Sequence, residues 1–217
     1  MNMDQARLNM IEQQIRPWNV GDASVLKLLS EVKREDFVPL AQKSLAYAGL
    51  GIALPGGQQM LEPIQEARLL QDLAAKPHET VLEIGTGSGF MSALLARCAQ
   101  RVVTLEIVPE LVTLARDNLR AAGIQNVEVR QGDGAKAAPT EGTYDAIVLS
   151  GSVAEIPMSL LSMLKVGGRL SAIVGDEPVM RATTVTRTSG TAFQTVQGWD
   201  TVAPRLRNFA EPERFKF

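Results

Sequence analysis

Thr80-Val81-Leu82-Glu83-Ile84-Gly85-Thr86-Gly87-Ser88-Gly89-Phe90 is the stretch on which the reading of this chain turns. Val81, Leu82 and Ile84 form a short apolar run with β-branched members, the pattern of a strand covered on both faces of a parallel sheet. Three glycines at alternate positions let the backbone turn sharply and approach a ligand closely. Residues 91–99 follow with strong helix formers, so free N–H groups at the helix start point into the same turn. Two nucleotide loops are disfavoured. The dinucleotide fingerprint needs glycine where Phe90 stands, and the P-loop needs a Gly-Lys-Ser/Thr that is absent.

What stands, Glu83-x-Gly85-x-Gly87-x-Gly89, resembles the first motif of S-adenosylmethionine-dependent methyltransferases. The plain alternative is a tight strand–helix turn in any α/β protein. S-adenosylmethionine carries no phosphate, so the loop must admit an adenosine and a cationic amino acid. Gly85, Thr86, Gly87, Ser88 and Gly89 then form the cofactor loop. Glu83, at the strand end, is placed to hold the cationic end of the ligand directly or through water.

Downstream the chain alternates. Strand-like runs cover residues 101–105, 127–129, 144–149, 169–174, 180–188 and 192–198. Helical patterns cover 109–122, closed by Gly123, and 156–164. Gly167-Gly168 reads as a turn. Such alternation demands a mostly parallel sheet with helices on both faces, the doubly wound Rossmann-like arrangement. Ligands bind such sheets at the carboxyl ends of the strands. That rule puts the Gly85 turn, Glu106, Asp133 and Ser150 on one rim. Glu106, with Ile107 beside it, lies about 20 residues past the turn, where an acid accepts both ribose hydroxyls. Asp133 is placed to accept from the adenine amino group, and Gly134 leaves room for the ring. Gly-Asp-Gly is also ordinary turn chemistry. The tail from Pro204, mixing Arg205, Arg207, Arg214 and Lys216 with Glu211 and Glu213, reads as a solvated end.

Upstream, residues 3–16 read as a helix with Leu8, Ile11 and Ile15 as its apolar stripe and Met10 beside them. Asp22 is a plausible N-cap for a helix over residues 23–33. Residues 41–47 suggest a short helix and 64–73 another. Residues 48–63 read as an irregular, glycine-rich segment, and a loop this long is usually functional or a linker. We expect it to form a lid over the acceptor, with Gln58 and Gln59 as hydrogen-bond donors; solvated glutamines on a structural loop are the bland alternative. The division expected is a helical cap with substrate-side loop, residues 1–76, and a cofactor-binding core, residues 77–217, in one compact unit.

Composition narrows the chemistry. A net charge of −2 over 217 residues gives no support for a nucleic-acid surface. No apolar run suits a membrane span or a signal core, so a cytoplasmic location is expected. The single histidine, His78, sits in a turn, and the single cysteine, Cys98, reads as a buried structural thiol. Zinc sites and Ser-His or Cys-His nucleophile pairs are therefore poorly supported, and no metal is expected.

Taken in order and spacing, Arg34 through Pro39, Gly57-Gln58 through Pro63, Val81 through Phe90, Gly132-Asp133-Gly134, Tyr144 through Ile147 and Leu164 through Leu170 make the chain resemble protein-L-isoaspartate O-methyltransferases. The resemblance implies a class I methyltransferase fold with a seven-stranded sheet. It also implies S-adenosylmethionine as cofactor and methylation of the abnormal carboxylate of isoaspartyl residues, a step in protein repair. It departs at the substrate side. The family's Thr-Ile-Ser is Gln59-Met60-Leu61, so Leu61 stands where the family places a hydroxyl near the reacting carboxylate. The Thr-Ala-Ala after the fourth strand is Ser150-Gly151-Ser152, and the family's Val-Arg-Phe-Val-Pro-Leu tract is at best a remnant at residues 201–206. A carboxylate acceptor is ionised at neutral pH, so no catalytic acid or base is expected. Two other readings stay open: a methyltransferase of this fold with a different acceptor, and a cofactor-binding protein without turnover. Oligomeric state is not set by these residues.

Overall fold

In the computed structural model, which describes residues 2–138, 140 and 142–211, the chain enters through a helical cap. Asn2 caps α1 (Met3–Met10) by accepting from the N–H groups of Asp4 and Gln5. A π-helical turn, Ile11–Ile15, and a 3₁₀ turn, Arg16–Trp18, carry it on, so the expected single helix is three unlike pieces. The wide turn resets the inward face. Met10, Ile11 and Ile15 are buried, while Leu8, expected in the stripe, is 49% exposed. Asp22 caps α2 (Ala23–Glu31) as its sequence suggests, and Leu40–Leu45 is a 3₁₀ turn.

The segment read as irregular contains an antiparallel hairpin, β1 (Ile52–Leu54) and β2 (Gln58–Met60), around the tip Pro55–Gly57. A capping box between Glu62 and Gln65 then starts α3 (Pro63–Leu73).

The sheet follows. β3 (Thr80–Ile84), α4 (Phe90–Cys98), β4 (Arg101–Glu106), α5 (Pro109–Ala121) and β5 (Val127–Gln131) build one side. β6 (Tyr144–Val153), α6 (Met158–Ser162), β7 (Leu164–Asp176), β8 (Val179–Arg187) and β9 (Phe193–Thr201) build the other. The order is β5-β4-β3-β6-β7-β8-β9, parallel from β5 to β7 and antiparallel beyond. Chain direction across the sheet reverses between β3 and β6, which makes that junction the switch point. This is the seven-stranded, mostly parallel sheet expected.

Two expectations near β7 fail for one reason. The helix read over residues 156–164 shrinks to α6, because Leu164 already pairs with Tyr144 in β7. Gly167-Gly168 lies inside β7 rather than before it, in a bulge between the pairs Tyr144–Leu164 and Ala146–Arg169. A local Gly-Gly signal marks a turn and a bulge equally well.

The two faces of the sheet differ in cover. The cap, α3, α4 and α5 share one apolar core with Val81, Val102, Ala146 and Val148. The other face, from Leu82, Val103, Ile147 and Leu149, is covered by α6, by Ala137, and by Leu206 and Phe209 from the end of the described chain.

Candidate functional site

Four strand ends meet at the switch point. β3 runs into Gly85, held in the left-handed region at φ 90°, and Gly85 N–H donates to Leu105 O at 2.9 Å. β4 ends at Glu106, which bends back toward the glycine turn. Its Oε2 accepts from Gly87 N–H at 2.8 Å and its Oε1 from Val108 N–H at 3.0 Å. β5 leads to Asp133, whose Oδ1 accepts from Ala135 N–H at 3.1 Å. Gly134 presses on β3, since a Cβ there would lie 2.2 Å from Ile84 Cγ2, so no other residue fits unmoved. β6 parts from β3 after the Ile84–Leu149 pair, so Ser150 reaches the same rim although its strand continues to Val153.

These ends surround a cavity of about 270 Å³ whose wall includes Gly85, Gly87, Glu106, Ile107, Asp133 and Gly134, with Ser150 and the glutamines Gln58 and Gln59. Most of the sequence-predicted residues therefore come together. Gly89 instead packs on α5, where a Cβ would meet Ala115 and Leu119. Thr86, Ser88, Glu83 and Leu61 border a second pocket of about 30 Å³ behind the turn, which Gln59 and Ser150 share.

Glu83 does not reach the main cavity. It is fully buried and accepts from three hydroxyls: Ser150 at 2.8 Å, Thr104 at 2.8 Å, and Ser92. Thr104 spends its proton on Glu83, so Thr86 donates to Thr104 at 2.6 Å. Burial pushes the Glu83 carboxyl up to about 7 against the pull of these donors, with Glu106 nearby adding to the rise. Because Ser150 gives its hydrogen to Glu83, its oxygen lone pairs remain for a donor in the cavity. Ser150, in the wall of the main cavity, is the hydroxyl that links Glu83 to it.

On the acceptor side, Leu61 is 3% exposed and has no hydroxyl to offer. Its carbonyl accepts from Arg34 Nη2 at 2.7 Å, and Arg34 also pairs with buried Glu66 and lies 5.0 Å from the Phe90 ring centroid. Burial raises the Glu66 carboxyl to about 7 despite that guanidinium. Gln58 Nε2 donates to Gly56 O at 3.3 Å. The Gln59 amide occupies the space a side chain at Gly51 would fill, 1.8 Å from the position of its Cβ.

The reading of the tail as solvated is corrected. Residues 204–209 fold back as a strap on the rim. Ser152 N–H donates to Pro204 O at 2.7 Å and Leu206 N–H to Ser152 O at 2.9 Å. Pro204, Arg205, Leu206, Arg207 and Phe209 join the cavity wall. The apolar pair Leu206 and Phe209 was the available signal, since a solvated end has no use for either. Glu213, Arg214 and Lys216 lie outside the described residues. Among the described residues no group of three or more His, Cys, Asp or Glu is placed to hold a metal, and no helix is long and apolar enough to cross a membrane.

The model of the protein-L-isoaspartate(D-aspartate) O-methyltransferase family matches residues 5–200, stopping short of the strap. A protein-L-isoaspartate O-methyltransferase of Methanoculleus marisnigri is 41% identical over 169 residues, 78% of this chain and 77% of that protein. Protein-L-isoaspartate O-methyltransferase 1 of Rhodopseudomonas palustris is 38% identical over 215 residues, 93% of this chain and 88% of that one. A solved Plasmodium falciparum structure, described as a protein-L-isoaspartate O-methyltransferase in complex with S-adenosyl-L-homocysteine, superposes with a TM-score of 0.81. It covers 95% of this chain and 99% of its own at 19% identity, a likeness of fold. This chain belongs to the protein-L-isoaspartate O-methyltransferase family.

Proposed function

We propose that the chain transfers the methyl group of S-adenosylmethionine to the carboxylate of L-isoaspartyl residues in damaged proteins. The observation that carries this reading is the approach of Glu106 to Gly87 at 2.8 Å, which closes the ends of β3 and β4 around one cavity. The wall suits the cofactor. A carboxylate has about four acceptor sites, so Glu106 keeps places for two ribose hydroxyls beyond its two backbone donors. Asp133 is the acceptor for an adenine amino group, and Leu105, Ile107 and Leu111 offer apolar cover for a flat ring. The lone pairs of Ser150 face a cationic ammonium.

S-adenosylmethionine supplies an electrophilic methyl on a sulfonium. The acceptor carboxylate carries no proton to remove, so the protein need only hold the reacting atoms in line and exclude water. Gln59, shared by the two pockets, is the donor we assign to the acceptor in place of the hydroxyl that Leu61 lacks.

The test is an isoaspartyl peptide with methyl-labelled S-adenosylmethionine, beside the same peptide with ordinary aspartate. Base-labile methyl ester on the first alone supports the proposal. Cofactor binding without transfer to either peptide would instead favour a different acceptor, the reading to which the buried Leu61 points.

A further inference from the structure

Residues 204–209 do more than cover apolar surface. Leu206 is seated between two glycines of the rim: a Cβ at Gly85 would lie 2.9 Å from its Cδ2, and one at Gly151 2.8 Å. The strap is thus registered against the glycine turn itself, and the hydrogen bonds through Ser152 hold that register. From this seat two side chains reach opposite walls. Asn208, with its backbone in the left-handed region at φ 66°, donates from Nδ2 to Asp133 Oδ2 at 3.0 Å. Arg207 crosses the cavity mouth and donates from Nη2 to Gly56 O at the hairpin tip. The tip is itself confined, since a Cβ at Gly56 would meet Val108 Cγ1 at 3.0 Å, just past Glu106.

We propose that Asn208 and Arg207 are cofactor-site residues. Asn208 orients the Asp133 carboxylate toward the adenine, and Arg207 latches strap to hairpin over the adenosine. The bound nucleoside then lies under a cover made from two segments about 150 residues apart in the chain. Exchange of cofactor for product requires the Arg207–Gly56 hydrogen bond to open. Arg205 cannot share this task, because its guanidinium is held by Asp176, Glu211 and Gly175 O. The proposal rests on the reading that the cavity takes S-adenosylmethionine.

The test is calorimetry with S-adenosylhomocysteine, with stopped-flow displacement for the off-rate, on the parent chain, Arg207→Ala and Asn208→Ala. Both side chains are exposed, so both variants should keep the ligand-free melting temperature of the parent. Each should bind about threefold to tenfold more weakly. For Arg207→Ala the loss should sit in a faster off-rate. Parent-like affinity and off-rate in both variants would overturn the proposal, as would tighter binding by Asn208→Ala, which would make Asn208 a competitor for Asp133. A parent chain that binds no S-adenosylhomocysteine would remove the cofactor reading itself.

Discussion

The floor and the roof of the cavity are built on different terms. The floor is made of strand ends. Glu83 and Glu106 are almost wholly buried there, and each engages both of its carboxylate oxygens. The roof is the hairpin and the strap, and its polar side chains Gln58, Gln59, Arg207 and Asn208 are exposed or half-buried. Arg207 spans from strap to hairpin by one hydrogen bond, and Asn208 reaches the floor by another. A floor whose buried acids are all partnered is the more rigid of the two. A roof of exposed side chains on single contacts is the cheaper of the two to open, which the proposed latch requires.

Arg34 is where the two meet, and it is the place to break the contrast hardest. It holds Leu61 O below the hairpin while pairing with Glu66. Arg34→Met should cost about 3–5 kcal/mol of unfolding free energy at pH 8, because a buried carboxylate loses its partner. Glu66 titrates at about 7 in the fold, above the ordinary 4.5, so it is ionised above that pH and protonated below. The variant raises it further. The gap between parent and variant should therefore shrink at pH 5 and widen as pH rises through 7. Urea midpoints across that range measure it, and a pH-independent gap would mean that Glu66 does not titrate there.

Glu106→Ala tests the floor alone. It should weaken S-adenosylhomocysteine binding by about 1.5–3 kcal/mol, the worth of hydrogen bonds to a charged group. Unchanged affinity by calorimetry would take Glu106 out of the cofactor site.

Gln59→Ala sharpens the contrast from the other side. An exposed roof side chain should leave unfolding free energy within about 0.5 kcal/mol. KM for the isoaspartyl peptide should rise about threefold to tenfold, with cofactor affinity unmoved. Unaltered kinetics would return Gln59 to a solvated role.

The floor was legible in the residues. Val81, Leu82 and Ile84 before a triple-glycine turn, an acid at the end of the next strand and Gly-Asp-Gly after the third are local patterns, and each strand places its own end on the rim. The roof was not. The hairpin at residues 52–60 is short and carries no clean alternation, and its Pro-Gly-Gly tip reads equally as loop. The strap looked solvated because its arginines and glutamates outweigh Leu206 and Phe209 in any composition count. Glu83 was placed at the correct strand end with a direct and a water-mediated contact both open, since no sequence pattern tells a buried acid behind Ser150 from one facing the cavity.

Sequence by itself determined the order of the strands and helices of the main sheet, the position of the glycine turn and the acids that cap the strands, because hydrophobic period and turn chemistry act over a few residues. Tertiary structure alone decided that Gly56 and Arg207 touch, that Asn208 holds Asp133, and that Ser150 stands between Glu83 and the cavity. Those contacts join segments far apart in the chain, and their geometry exists only once the sheet has set where each segment ends.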